Sequence, residues 1–430
     1  MPRLPQTGDR PEIPGLGTLA LEDCLHEYPG KRRIYRARLP DDRAVVAKFY
    51  LGRIAQWAEW RRGTRGARRL EAAGVPAPAL HHAGYCPQYR AWLLVLDLVE
   101  ADTPWPPPGG DPGHEAHARL LATLAEHHRA GVVQNDLNWL NFIPRDGKLY
   151  AIDGDRVRRR AGALARGPAL RHLQRLYASK TRVPEARIRE GFRRYHELRG
   201  WDPSEAELER FLRALRHARV RHARRVAHRA ARGWKHYPRF RSDDLGIIHD
   251  RRSLTREQAG EIARHLYATG ELPETVASSD TPELCARRID APWQTLPALL
   301  RPALTRRTAR RVWSHALTLR RLGLAAPRPV AVVAADRGMI WLVQEAIADM
   351  HPLTDGGPPP GPEAAETLWA GLRDYGIRFR GRDPRMLGSD GQALWILDPL
   401  PLAFARPGAR GLLRAAQRDR EWLRQVSEAR

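Results

Sequence analysis

At 430 residues the chain is long enough for two or three domains with hydrophobic cores, and its apolar fraction of 42% is ordinary for a soluble protein. Its formal net charge of +24 points to an anionic partner such as nucleic acid, a phosphate-rich membrane face or a phosphorylated substrate, although arginine is abundant throughout. Three widely spaced cysteines, Cys24, Cys86 and Cys285, exclude a disulfide framework, and no run of about 18 apolar residues or signal-peptide core is present, so the expected location is cytoplasmic.

The first hundred residues read as strands followed by a helix and a further strand. EYPGKRRIYRARLPDD gives a strand, a turn at Pro40 to Asp42 and one glycine, Gly30, which falls short of a full glycine-rich loop. RAVVAKFY alternates as a half-buried strand does and carries Lys48. A helix is expected from about Ile54 to Ala73, then the turn GVPAP, then the buried strand AWLLVLDLVEA running into a hinge at Asp97 to Val99.

After a Pro/Gly run and a helix comes GVVQNDLNWLNFI, which packs Asn135, Asp136, Asn138 and Asn141 between Val133 and Phe142. A phosphoryl-transfer enzyme of the kinase type needs a carboxylate beside the acceptor hydroxyl. About five residues on, it needs a carboxamide that shares Mg²⁺ with a second carboxylate. Asp136 and Asn141 have that spacing, which is weak by itself. LYAIDGD then supplies Asp153 and Asp155 after a short apolar strand, with Arg145 to Lys148 as the preceding hairpin turn. Lys48 is the expected partner of the ATP α- and β-phosphates, with Gly30 in the strand turn and the backbone near Asp97 and Val99 at the adenine.

RRLEAAGVPAP, QNDLNWLNF and IDGDR together resemble the bacterial lipopolysaccharide kinase family, protein-kinase-like enzymes that phosphorylate heptose or Kdo of the inner core. The resemblance covers about the first 200 residues. It implies a magnesium motif Asp-x-Asp-Arg, matched here by Asp153, Asp155 and Arg156, and a helix glutamate for the lysine, assigned to Glu59 with Glu71 as the alternative. The sequence departs from the kinase pattern before the base, where the usual His and Arg are Gln134 and Asn135.

The second half repeats the first. GLAAPRPVAVVAADRGMIWLV laid on GVPAPALHHAGYCPQYRAWLLV puts Gly323 on Gly74, Pro327 on Pro78 and Trp341 on Trp92 without a gap. Continuing from Gly376, Gly381 stands where Asp136 does, Met386 where Asn141 does and Asp398 where Asp153 does. Arg287 or Arg288 replaces the lysine, and Asp383 is two residues out of register for a base, so this copy is expected to be a pseudokinase used for docking or regulation.

Between the halves, Arg210 to Arg241 holds twelve Lys or Arg, four His and no acid, with Leu208, Phe211, Leu212 and Leu215 at helical spacing. It reads as a basic amphipathic helix suited to anionic lipid, Arg216, Arg219, Arg224 and Arg225 included. The expected fold is α+β: a bilobal protein-kinase-like domain at 1–205, a basic helical linker at 206–244 and a degenerate copy at 245–430. The expected cofactors are ATP and Mg²⁺, with no zinc-spaced histidine set. The expected partners are a lipopolysaccharide core sugar or lipid-linked core and, peripherally, the inner face of the inner membrane; no nucleic-acid motif accompanies the basic helix. Alternatives are an aminoglycoside-like phosphotransferase, disfavoured by the basic charge, and a silent scaffold.

Overall fold

The computed structural model describes residues 4–52, 54–105, 113–137, 139–179, 183–234, 236–273, 283–289, 300–355, 359–405 and 412–428. Asn138 and parts of both Pro/Gly runs lie outside them. The chain is mixed α/β and divides into two compact units, 1–212 and 213–430. No described helix is long and apolar enough to cross a membrane.

In the first unit, β1 (Ala20–Tyr28), β2 (Arg32–Arg38), β3 (Ala44–Leu51), β4 (Leu80–Cys86) and β5 (Ala91–Asp97) form an antiparallel sheet ordered β1-β2-β3-β5-β4. Helix α1 (Ile54–Glu71) separates β3 from β4 in sequence. Strand alternation sorts the side chains of β3. Val45, Ala47 and Phe49 enter one core with Leu21, Tyr35, Leu93 and Val95, whereas Tyr50 enters another with Leu94, Leu96 and Ala67 of α1. Lys48 has the parity of Tyr50 and so belongs to the α1 face. Complete burial of Phe49 contributes roughly 1.5–3 kcal/mol relative to exposure. Helix α1 is pinned to the same face by Trp60, which stacks on Trp92 at 4.5 Å and donates its indole N–H to the Leu93 carbonyl at 2.9 Å.

The unit continues with α2 (Gly113–Arg129), β6 (Val132–Gln134), β7 (Phe142–Arg145), β8 (Lys148–Ala151), β9 (Val157–Arg159), α3 (Arg166–Ser179) and α4 (Glu185–Arg199). Strand β6 pairs with β9, and β7 with β8. The two loops that connect these pairs, 135–141 and 152–156, are therefore brought side by side.

Helix α5 (Glu205–Ala230) crosses the boundary between the units. Its Phe211 packs on Tyr177 and Phe192 in the first unit, while Val220, Ala223, Ala227 and Ala230 enter cores of the second. The apolar stripe of the segment expected to link the domains is thus buried in these cores, while most of its other residues are not. Arg216 lies 3.7 Å from Asp374 and Arg219 is buried, whereas Arg224, which lies over the Phe404 ring, and Arg225 are exposed.

The second unit has β10 (Arg239–Ser242), β11 (Leu245–His249), α6 (Arg256–Thr269), β12 (Leu284–Ile289), α7 (Arg301–Leu322), β13 (Pro329–Ala335) and β14 (Ile340–Glu345). The sheet order is β10-β11-β13-β14-β12. Strand β13 is buried on both sides, which accounts for its unbroken apolar run: Val332 and Ala334 face α7, whereas Val330, Ala331 and Val333 face α6. Then come α8 (Pro362–Asp374), β15 (Ile377–Phe379), β16 (Leu387–Ser389), β17 (Leu394–Ile396), β18 (Leu402–Phe404) and α9 (Leu412–Glu428), with β15 on β18 and β16 on β17. Helix end, strand starts and pairings from Arg129 to Arg159 recur from Asp374 to Phe404 at one spacing of 245 residues, apart from an end residue or two in β16 and β17. The sheets differ. The first hairpin of unit 1 abuts the lysine strand, but β10–β11 abuts β13, because α6 carries the chain across the sheet face before β12 is laid at the opposite edge.

Candidate active site

Asp136 and Asn141 sit in the loop after β6. The Asn141 Nδ2 donates to the Asp136 carbonyl at 3.0 Å, and the Asn141 carbonyl accepts the Ile152 N–H at 3.0 Å, one residue before Asp153. The first bond uses one of the two N–H donors of the carboxamide and leaves its oxygen without a hydrogen bond among the described residues. The Asp136 carboxylate is exposed and has no partner among the described residues. Asp153 Oδ1 accepts the Asp155 N–H at 3.1 Å, which shapes the second loop.

Lys48 lies opposite Ile34 and Leu94 in the sheet. Burial holds its ammonium below the ordinary lysine range, opposed by the charges of Asp153 and Asp155. Asp155 is pushed up to about 6, first by burial and then by Asp153, while Lys48 and Arg32 pull the other way and Glu59 adds to the rise. Lys48, Asp153, Asp155 and Glu59 therefore share one electrostatic neighbourhood, although no carboxylate comes within ion-pair distance of Lys48 among the described residues. Glu71 is exposed at the far end of α1 and has no such link. A pocket lies beside Lys48, walled by Leu70, Leu94, Leu96, Gly154 and Asp155.

Other expected residues are placed as follows. Gly30 has φ +66° in the three-residue turn between β1 and β2, a conformation that favours glycine. Asp97 turns its carboxylate to the Ala79 N–H and the His81 ring, so its side chain serves β4. Val99 is buried, and its backbone N–H and C=O make no protein hydrogen bond among the described residues. The Arg156 side chain is exposed, and its carbonyl accepts from both the backbone N–H and the Nδ2 of Asn135.

Arg32, His172, Gly63 and Gly66 border this site without having been singled out from the sequence, and Gln134, which was, is anchored in it. Arg32 lies over the Tyr28 and Tyr50 rings and 3.8 Å from Asp155. Gln134 replaces the usual histidine with a double contact: its Nε2 donates to the Asp153 carbonyl at 3.3 Å, and its own carbonyl meets His172 Nε2 at 2.6 Å. His172 in turn meets His128 at 2.7 Å, and His128 meets the Tyr195 hydroxyl. Gly63 and Gly66 let α1 touch the second loop, for a methyl on Gly66 would lie 1.7 Å from the Gly154 oxygen. Two glycines three apart inside a helix were the available signal for this contact.

The buried histidines give the unit a pH dependence. Burial, aided by neighbouring positive groups, lowers His127 to about 4 and His128 to about 2; burial lowers His172 to about 4. In the unfolded chain each binds a proton near its ordinary 6.5, so stability is fully present above that pH and falls as pH drops toward 4. Each histidine steepens the fall by about 1.4 kcal/mol per pH unit. His127 has no hydrogen-bond partner at either nitrogen, so His127→Leu is expected to flatten the curve by one proton, read from melting temperature against pH. An unaltered slope would show that His127 titrates normally.

In the second unit, Met386 is buried in an apolar core and Gly381 is exposed, with nothing within 4 Å of where a side chain would begin. The backbone frame persists: Leu397 N–H donates to the Met386 carbonyl at 2.8 Å, and Leu400 N–H to Asp398 Oδ1 at 2.8 Å. Arg287 is held below its ordinary range by burial and opposed by Asp398, as Lys48 is by Asp153, and its guanidinium donates to the Arg385 carbonyl at 2.9 Å. Asp383 is engaged by the Arg385 guanidinium at 2.7 Å, so its carboxylate is committed locally.

The Asn141 carboxamide oxygen and the Asp153 carboxylate are hard oxygen donors of the kind Mg²⁺ takes together with substrate phosphates. No cluster of three His, Cys, Asp or Glu side chains exists among the described residues to hold a metal unaided. No protein-family model matches the chain, and no curated protein does. Among solved structures it is similar to one described as the crystal structure of the BubR1 kinase domain, at 10% identity and a TM-score of 0.29 over 36% of this chain and 51% of that one. The chain spans about half the length of that kinase domain.

Proposed function

We propose that the first unit is a protein-kinase-like phosphotransferase that uses ATP and Mg²⁺ to phosphorylate a sugar hydroxyl, heptose or Kdo, of the lipopolysaccharide inner core. The observation that carries the transfer chemistry is the lock between the two loops: Asn141 Nδ2 on the Asp136 carbonyl and Ile152 N–H on the Asn141 carbonyl. It supports a reading in which Asp136, the Asn141 carboxamide oxygen and Asp153 act together, and the strand parity of Lys48, shared with Tyr50, supports its part in it. The sugar acceptor rests on the Asp153-Gly154-Asp155-Arg156 pattern and on the basic composition, which favours an anionic acceptor.

Bound Mg-ATP would supply the phosphoryl group and the cation that offsets its charge. Asp136 would orient the acceptor hydroxyl and take its proton. Asn141 Oδ1 and the Asp153 carboxylate would hold the cation, and the Lys48 ammonium would face the α- and β-phosphates. Glu59 lies within electrostatic reach to steady that end of the cleft, and the free backbone groups of Val99 would meet the adenine edge. Catalysis is then chiefly positioning and fixed charge.

The second unit is proposed to be a degenerate copy, supported by the single 245-residue spacing and by the retained contacts of Met386 and Asp398. Met386 and Gly381 offer neither a cation ligand nor a base, which leaves docking or regulation as its role. The acceptor is expected at the cytoplasmic face of the membrane, with the chain peripheral to it.

Mass spectrometry of core oligosaccharide from cells with and without the gene is expected to show phosphate lost in the latter, and an unchanged phosphate count would sink the acceptor assignment. The Asp136→Asn, Asn141→Ala, Asp153→Ala triple variant should show no residual transfer. Activity removed by a further Asp398→Ala change would mean that the second unit works.

A further inference from the structure

The second unit holds a groove between β10 and α7 that none of the transfer chemistry uses. Strand period two directs Arg239 and Arg241 to it from β10, and helix period four directs Arg306 and Arg310 to it from α7; Ala309, Ile248 and Val332 line it with apolar surface. Asp336 satisfies part of this charge, lying 3.2 Å from both Arg241 and Arg306. Arg239 and Arg310 have no carboxylate within ion-pair distance among the described residues.

We propose that this groove is a binding site for a compact phosphate-bearing anion, a phosphomonoester or diphosphate group held between Arg239 and Arg310. Guanidinium forks match phosphate oxygens in pairs, and an apolar bed strengthens such charge-assisted bonds. Arg306 and Arg241 are preset by Asp336, so two of the four cations are ordered before any ligand arrives. Like charge is crowded here: burial, and then Arg239, Arg232, Arg306 and Arg307, hold Arg310 below the ordinary arginine range. The four guanidinium groups come from one strand and one helix, β10 and α7, around an apolar floor from β11 and β13, which suits a single phosphate or diphosphate group rather than a nucleic-acid backbone. All its residues belong to the second unit, so the site stands whether or not the first unit transfers phosphate.

The test uses the full chain at fixed ionic strength without divalent cations. Calorimetric titration with inorganic pyrophosphate is expected to show saturable binding, weakened at least about tenfold in the Arg239→Gln, Arg310→Gln variant. The Arg414→Gln, Arg418→Gln variant, which removes the same charge from exposed positions on α9, should bind like the parent. Relief of like-charge crowding should leave the groove variant melting no lower than the parent without ligand, and pyrophosphate should raise only the parent's melting temperature. Co-flotation with phosphatidic acid in phosphatidylcholine vesicles separates the sources. Loss of vesicle binding together with pyrophosphate binding identifies a lipid headgroup, and loss of pyrophosphate binding alone identifies a free phosphate ligand. Absence of pyrophosphate binding by the parent, or equal weakening in both variants, would overturn the proposal.

Discussion

Asp136→Asn is expected to lower phosphoryl transfer by about 10²–10⁴-fold, the usual range for a positioned general base. The amide is isosteric with the carboxylate but cannot accept the acceptor's proton. Nothing in the fold depends on the charge: the side chain is exposed, and the bond from Asn141 goes to the Asp136 main-chain carbonyl. Melting temperature and ATP affinity should therefore match the parent while turnover collapses. Turnover near the parent rate would place the base elsewhere, with Asp155 the next group to replace.

Gly66→Ala is expected to damage the first unit more than any alanine substitution on its surface. The added methyl meets backbone, the Gly154 oxygen at 1.7 Å and its carbonyl carbon at 2.4 Å, so no side-chain rotation relieves the overlap. Overpacking usually costs about 1–3 kcal/mol, and a backbone clash belongs at or above the top of that range. For a unit of this size, 3 kcal/mol corresponds to a fall of roughly 6–12 °C in melting temperature. ATP affinity should fall with it, because the displaced loop carries Asp153. Gly167→Ala is the control: its methyl would lie 3.4 Å from the movable Arg171 side chain, and alanine is the better helix former. Equal melting temperatures for the two variants would contradict the close contact between α1 and the loop.

What was legible in the sequence is what short-range geometry controls. Alternation in RAVVAKFY gave the β3 strand and the parity of Lys48 because strand faces repeat every two residues. Asp136, Asn141 and Asp153 could be grouped because two short hairpin pairings fold fewer than thirty residues back on themselves. The order of strands in the second sheet was not legible, since which edge β10–β11 takes depends on α6 packing across β11 and β13, a long-range choice without a local pattern. The burial of one face of α5 was hidden for a related reason. Its apolar stripe continues through small residues, Ala223, Ala227 and Ala230, whose burial is set by the helices they meet rather than by their own hydrophobicity. Gln134 was read as a loss of the usual histidine, but its long amide reaches the Asp153 carbonyl, a compensation visible only in three dimensions.

The anchoring of α1 also limits how the first unit can move. Trp60 ties the helix to β5, and Gly66, less than two turns on, ties it to the Asp153 loop. A helix fastened at two such points is not a free lever: a swing toward Lys48 would have to break the Trp60 bond or separate the two backbones. Helix, sheet and the Asp153 loop are thereby joined into one block. The stacked indoles of Trp60 and Trp92 lie within that block, so their coupled emission should change only when the unit unfolds.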